Sequence, residues 1–84
     1  MRVLIVEDET VAYENLVDII THIDPTIEIA GNTESIRQTI QWLQENPAPD
    51  LIFMDIHLSD GSAFSIFENI QVETAIIFIT AYDE

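Results

Sequence analysis

The apolar positions of this chain fall into short blocks whose spacing changes from one block to the next. Val3, Leu4, Ile5 and Val6 form a continuous run, the pattern of a strand buried on both faces. Val11, Leu16, Ile19, Ile20 and Ile23 then recur at mostly helical spacing, and Pro25 closes that helix because it has no N–H to continue it. Ile27-Glu28-Ile29 alternates as a strand near a sheet edge does, and Gly31-Asn32 reads as a turn. Thr33 is the expected N-cap of a second helix, with Ile36, Ile40 and Leu43 as its inward stripe. Asn46-Pro47-Ala48-Pro49 stops that helix. Leu51 to Met54 is a second buried strand, and Ala75 to Ile79 a third fully apolar one. Between them Ala63, Ile66, Phe67 and Ile70 stand at i, i+3, i+4 and i+7, which predicts a third helix.

The implied order is β-α-β-α-β-α-β. Strands that alternate with helices and are apolar on both faces imply a parallel sheet covered by helices on each side. No repeat, low-complexity tract or linker divides the chain, so one α/β unit is expected.

Composition narrows the reading. Among 84 residues, 48% are hydrophobic and 16 acids face 2 basic residues, for a formal charge of −14. Such a charge on a poorly apolar chain would mean disorder, but here the apolar blocks are organised. Without cysteine there is neither a disulfide staple nor a thiolate metal site. The apolar runs are too short to cross a bilayer, and Glu7 and Asp8 interrupt the first too early for a secretory signal. Neutralising phosphates on a nucleic acid takes lysine or arginine, and only Arg2 and Arg37 are present. The expectation is an acidic, soluble, cytoplasmic domain that touches neither membrane nor DNA directly.

In a parallel α/β sheet, ligands bind beyond the carboxyl ends of the strands, where strand order reverses. The residues that follow the predicted strands are Glu7-Asp8, Ala30-Gly31, Asp55, and Thr80-Ala81. Three carboxylates and a hydroxyl are therefore expected on one rim, while the second strand offers no side-chain chemistry there. Taken singly, each acid is an ordinary cap or loop residue. Together they repel one another, and a hard cation such as Mg²⁺, which takes carboxylate, water and phosphate oxygens, relieves the conflict.

The stretches Val-Leu-Ile-Val-Glu-Asp-Glu, Leu-Ile-Phe-Met-Asp-Ile-His-Leu-Ser-Asp-Gly and Ile-Ile-Phe-Ile-Thr-Ala-Tyr, in this order, resemble a two-component response-regulator receiver domain. The closing Thr-Ala-Tyr-Asp-Glu is similar to receivers that precede a LytTR-type DNA-binding domain. The resemblance implies a flavodoxin-like (CheY-like) doubly wound parallel sheet of strand order 2-1-3-4. It implies that Asp55 accepts a phosphoryl group from a histidine kinase. Mg²⁺ would be held by Glu7, Asp8, Asp55 and the backbone carbonyl of His57. Thr80 would be the switch hydroxyl, the Ala81 amide a phosphate contact, and Gly61 the permissive loop glycine. Control of DNA would pass through an output domain outside this chain.

A complete receiver of this kind has five strands and five helices. Residues 1–84 are therefore expected to be a partial receiver lacking the last strand and two helices. The loop lysine of the family has no counterpart, since the chain has no lysine. Phosphoryl transfer by the chain alone is expected to be weak, and the exposed edge of the fourth strand is expected to drive homo-oligomerisation. Two other functions compete. A Mg²⁺-dependent phosphatase with an aspartate nucleophile usually has a second acid two residues on, where this chain has His57. A module that acts through its surface without being phosphorylated is the other. His22, Ser59, Ser62, Trp42 and Tyr82 read as structural or surface residues.

Overall fold

β1 (Arg2–Val6) runs through the centre of a four-stranded sheet, and its side chains from Val3 to Val6 are wholly shielded from solvent. The computed structural model describes residues 1–79. Around β1 lie α1 (Thr10–Ile23), β2 (Glu28–Thr33), α2 (Ile36–Glu45) and β3 (Leu51–Asp55). There follow a two-stranded ribbon of β4 (His57–Leu58) and β5 (Gly61–Ser62), then α3 (Ser65–Asn69) and β6 (Ala75–Ile79). The sheet order is β2-β1-β3-β6 with every pair parallel. This is the expected 2-1-3-4 order, with β6 in the place of the fourth strand. The antiparallel ribbon was not foreseen.

Because Val3 to Val6 of β1 and Leu51 to Met54 of β3 are all apolar, the sheet carries a core on each face. On one face Leu4, Val6, Ile52 and Met54 pack with Ile66 of α3 and with Ile36, Ile40, Trp42 and Leu43 of α2. On the other, Val3 and Ile5 pack with Ile20 and with Tyr13, Leu16 and Val17 of α1. The chain thus winds to both sides of the sheet, and none of the described helices is long and apolar enough to cross a membrane.

Four local expectations are corrected. α1 forms where its spacing predicts, but Val11, Ile19 and Ile23 are 70%, 56% and 77% exposed, so the buried face is Tyr13, Leu16, Val17 and Ile20. Gly31 and Asn32 are not a turn but belong to β2, whose register against β1 slips by one residue at Ala30. Thr33 ends that strand, and the N-cap of α2 is Ser35, whose Oγ accepts the Gln38 N–H at 3.1 Å. α3 is shorter than its apolar stripe: Ala63 is buried in the turn before it and Ile70 caps it, while Phe67 remains partly exposed against Phe78.

Candidate functional site

The strand order reverses between β1 and β3, and Val6 is paired with Met54 there. One residue further on, Glu7 and Asp55 stand side by side at the carboxyl ends of the two strands, with Asp8 next to them. One carboxylate oxygen from each of Glu7, Asp8 and Asp55 lies within 4.8 Å of the others. The expected cluster is present, assembled from segments 47 residues apart by the register of two parallel strands.

Glu7 is held more firmly than the other two. Its N–H donates to the Thr33 carbonyl at 2.9 Å, which extends the β1–β2 ladder by one rung. The side-chain amide of Asn32 donates to the Ile5 carbonyl at 3.0 Å and reaches the Glu7 carbonyl at 3.4 Å. The second strand therefore does contribute at this end, through Asn32 and Thr33 rather than Ala30 and Gly31. With only 7% of its surface exposed, Glu7 has its carboxyl pushed above the ordinary range chiefly by burial. The Glu9 N–H, donating to Glu7 Oε2 at 3.1 Å, offsets part of this, and the charges of Asp55 and Asp8 add to it.

Asp55 uses one oxygen, Oδ1, to accept the His57 N–H at 3.2 Å, which leaves Oδ2 free of protein donors among the described residues. No arginine guanidinium from the β1 segment reaches the cluster: Arg2 lies at the opposite end of β1, directing its guanidinium to the Pro47 and Ala48 carbonyls. The donor set is all carboxylate oxygen, crowded and partly dehydrated, and it fits a hard divalent cation. The His57 side chain is exposed, and its residue opens the ribbon two positions beyond Asp55. Gly61 sits at φ 138°, a backbone conformation that residues with a β-carbon avoid. Thr80, Ala81 and Tyr82 lie outside the described residues. Ser62 accepts the Phe64 N–H at 3.3 Å, His22 is exposed in the last turn of α1, and Trp42 is part of the core, all as structural residues.

Sequence reasoning missed Asp60. Its Oδ1 accepts the Ile36 N–H at 2.8 Å and its Oδ2 the Arg37 N–H at 3.3 Å, so it closes the start of α2 from a distant loop. Asn32 and Thr33 were missed as well. For the true cap, Ser35-x-x-Gln38 carried a readable signal, the pattern of a capping box.

The open, doubly wound parallel sheet with three acids at its switch point has the architecture of α/β domains that bind their ligands beyond the carboxyl ends of the strands. The chain belongs to the response regulator receiver domain family, whose model matches residues 3–84. It is 33% identical over 87 aligned positions to the sensory transduction protein LytT of Bacillus anthracis, covering all of this chain and 35% of that protein. Similar LytT proteins from Enterococcus faecalis and Bacillus subtilis agree with the expected kinship to LytTR-type regulators. Among solved structures, the response regulatory domain of protein MrkE from Klebsiella pneumoniae is 33% identical at a TM-score of 0.82, over 100% of this chain and 70% of that one. The PhyR response regulator REC domain of Erythrobacter litoralis is 36% identical at a TM-score of 0.76, over 96% and 63%. The chain spans about a third of the length of the curated LytT relatives it matches.

Proposed function

We propose that this chain is the phosphoacceptor part of a LytT-like response regulator, with Asp55 as the residue that takes the phosphoryl group. The observation that carries this reading is the cluster itself: Glu7, Asp8 and Asp55 present oxygens within 4.8 Å of one another at the switch point of the sheet. An ionised Asp55 oxygen attacks the phosphorus of a phosphohistidine on a sensor kinase, or of a small acyl phosphate. The bond from phosphorus to the donor nitrogen or oxygen breaks, the donor leaves with its electron pair, and an aspartyl phosphate forms. The Asp55–His57 hydrogen bond fixes the carboxylate so that its other oxygen is the one presented. Glu7, Asp8 and Asp55, with the His57 carbonyl, would hold the metal. Mg²⁺ bound there would offset the charge that collects on carboxylate and phosphoryl oxygens in an in-line transfer.

Thr80 and the Ala81 amide are proposed as the groups that receive the phosphoryl oxygens, and Gly61 as the glycine that lets the loop turn. The chain is thus a substrate of a kinase in the cytoplasm rather than an enzyme with its own turnover, and any hold on DNA belongs to an output domain. The test is the full reading frame incubated with acetyl phosphate and Mg²⁺. Intact mass should show one added phosphoryl group, absent in Asp55→Asn; equal labelling of both would refute the assignment.

A second proposal concerns partners. Among the described residues nothing pairs with the outer edge of β6, where Ile77 and Phe78 are 47% and 40% exposed. An apolar edge of this kind is a template for another strand, and we propose that the 84-residue chain self-associates through it. A monomeric mass by light scattering at tens of micromolar would overturn this.

A further inference from the structure

The β4–β5 ribbon is attached to the rest of the molecule in two ways. Leu58 and the adjoining Ala63 are buried in the core face shared with α2 and α3, an anchor without directional preference. The tip is held differently. Asp60 accepts the Ile36 N–H at 2.8 Å on one oxygen and the Arg37 N–H at 3.3 Å on the other. These are the first two amides of α2, which have no carbonyl partner within their own helix. Next to them the Ser59 hydroxyl faces the Glu34 carbonyl at 3.5 Å, and a β-carbon on Gly61 would stand 3.3 Å from Ile36 Cδ1. The segment from Glu34 to Arg37 therefore holds the tip of the ribbon at Ser59 and Asp60, with Ile36 close beside Gly61.

The base of the same ribbon is the cation site. His57 donates its N–H to Asp55, and the Ala63 N–H donates to the Ile56 carbonyl at 2.7 Å. Between base and tip the ribbon has only the pairs His57 with Ser62 and Leu58 with Gly61. So short a ladder leaves Asp60 at the tip only three residues from His57 at the base. The Asp60 carboxyl is held below its ordinary range, chiefly by the Ile36 N–H, so it is an anion at neutral pH.

We propose that Asp60 is a positioning residue for the cation site: by closing the start of α2 it fixes the ribbon, and through the ribbon the His57 backbone beside Asp55. The inference rests on the reading of Glu7, Asp8 and Asp55 as metal ligands. Groups that orient ligands without touching the metal commonly alter affinity by about 10–100-fold.

The experiment measures the Mg²⁺ dissociation constant of the full chain by calorimetry, at a temperature where each variant is folded by circular dichroism. In parallel it records the amide resonances of Asp55, His57 and Leu58 without metal. Asp60→Ala should weaken Mg²⁺ about 10-fold and shift those three resonances. Asp60→Asn, which keeps an oxygen for the Ile36 N–H, should stay within about 3-fold of the wild type, below the range of a lost orienting contact. Ile36→Pro removes the donor from the other side at the helix position where proline is tolerated, and Ser35 already has the extended backbone that a following proline requires. It should reproduce the Asp60→Ala loss and keeps the test alive if that variant does not fold. Wild-type affinity in Asp60→Ala and Ile36→Pro would overturn the proposal, as would an Asp60→Asn variant as weak as Asp60→Ala. Absence of Mg²⁺ binding by the wild type would refute the metal reading instead. The metal-free resonances then decide the positioning role, and unshifted Asp55 and His57 signals in Asp60→Ala would refute it.

Discussion

The indole of Trp42 occupies the space that a β-carbon on Gly31 would need: such an atom would stand 2.7 Å from Nε1, 3.1 Å from Cε2 and 3.3 Å from Cζ2. Three ring atoms are involved, so the ring must move as a body. Gly31→Ala should cost about 1–3 kcal/mol, as overpacking does. Urea unfolding followed by Trp42 fluorescence checks this, with a changed emission maximum in the folded state as the local sign.

The buried hydroxyls of Thr33 and Thr39 are 2.7 Å apart, and Thr39 also donates to the Ser35 carbonyl at 2.7 Å. Thr39 has one hydroxyl proton, so Thr33 must be the donor within the pair. Thr39→Val deprives a buried O–H of its acceptor and should cost about 1–3 kcal/mol. Thr33→Val leaves the bond from Thr39 to Ser35 intact and should cost under about 1 kcal/mol. Denaturation midpoints of the two variants should differ in that order.

Glu7 is destabilising while ionised. Its folded-state carboxyl titrates above the ordinary value, so between the two values the folded chain binds more proton than the unfolded one. Its contribution to stability therefore falls as pH rises through that window and stays low above it. Asp60 and Asp24 act in the opposite sense: their lowered values give stability that is present above the ordinary range and lost as pH falls through the folded values. Glu7→Gln should raise Tm at neutral pH, where the wild-type carboxyl is ionised against its surroundings. The gain should shrink as pH is lowered into the window. Millimolar Mg²⁺ should raise the Tm of the wild type and not of the variant.

At the open edge, Ile77→Lys or Phe78→Lys places a charge on β6, the means by which natural edges avoid pairing. Either change should lower the mean mass of the 84-residue chain in light scattering toward that of a monomer. The same chain, which has no lysine, should bind Mg²⁺ yet label far more slowly with acetyl phosphate than a receiver that carries the family's loop lysine.

The central strands were legible because burial on both faces leaves an unbroken apolar run, as in β1 and β3, and β6 was legible from its apolar run although much of it is exposed. The acids were legible for a related reason, since Glu7 and Asp55 fall where those runs stop. β2 was not, because Ala-Gly-Asn-Thr has the composition of a turn and is held extended by non-local contacts, the ladder to β1, the Asn32 side chain and the Thr33–Thr39 pair. The helical spacing of α1 showed the element but not its buried side: Ile19 and Ile20 are adjacent, and only packing decides which of them turns inward. Asp60 is illegible for another reason, since its partners are 23 and 24 residues away and no local pattern joins them.

The single-residue slip at Ala30 has an effect beyond pairing. In an even strand Ile29 and Thr33, four apart, would point the same way. Here Ile29 joins the layer under α1 while Thr33 meets Thr39 of α2 on the opposite layer. The slip acts as a half-period phase shift that lets one edge strand serve two cores in turn. It also decides that the Thr33 carbonyl, and not a neighbour one residue away, meets the Glu7 amide at the edge of the acidic rim.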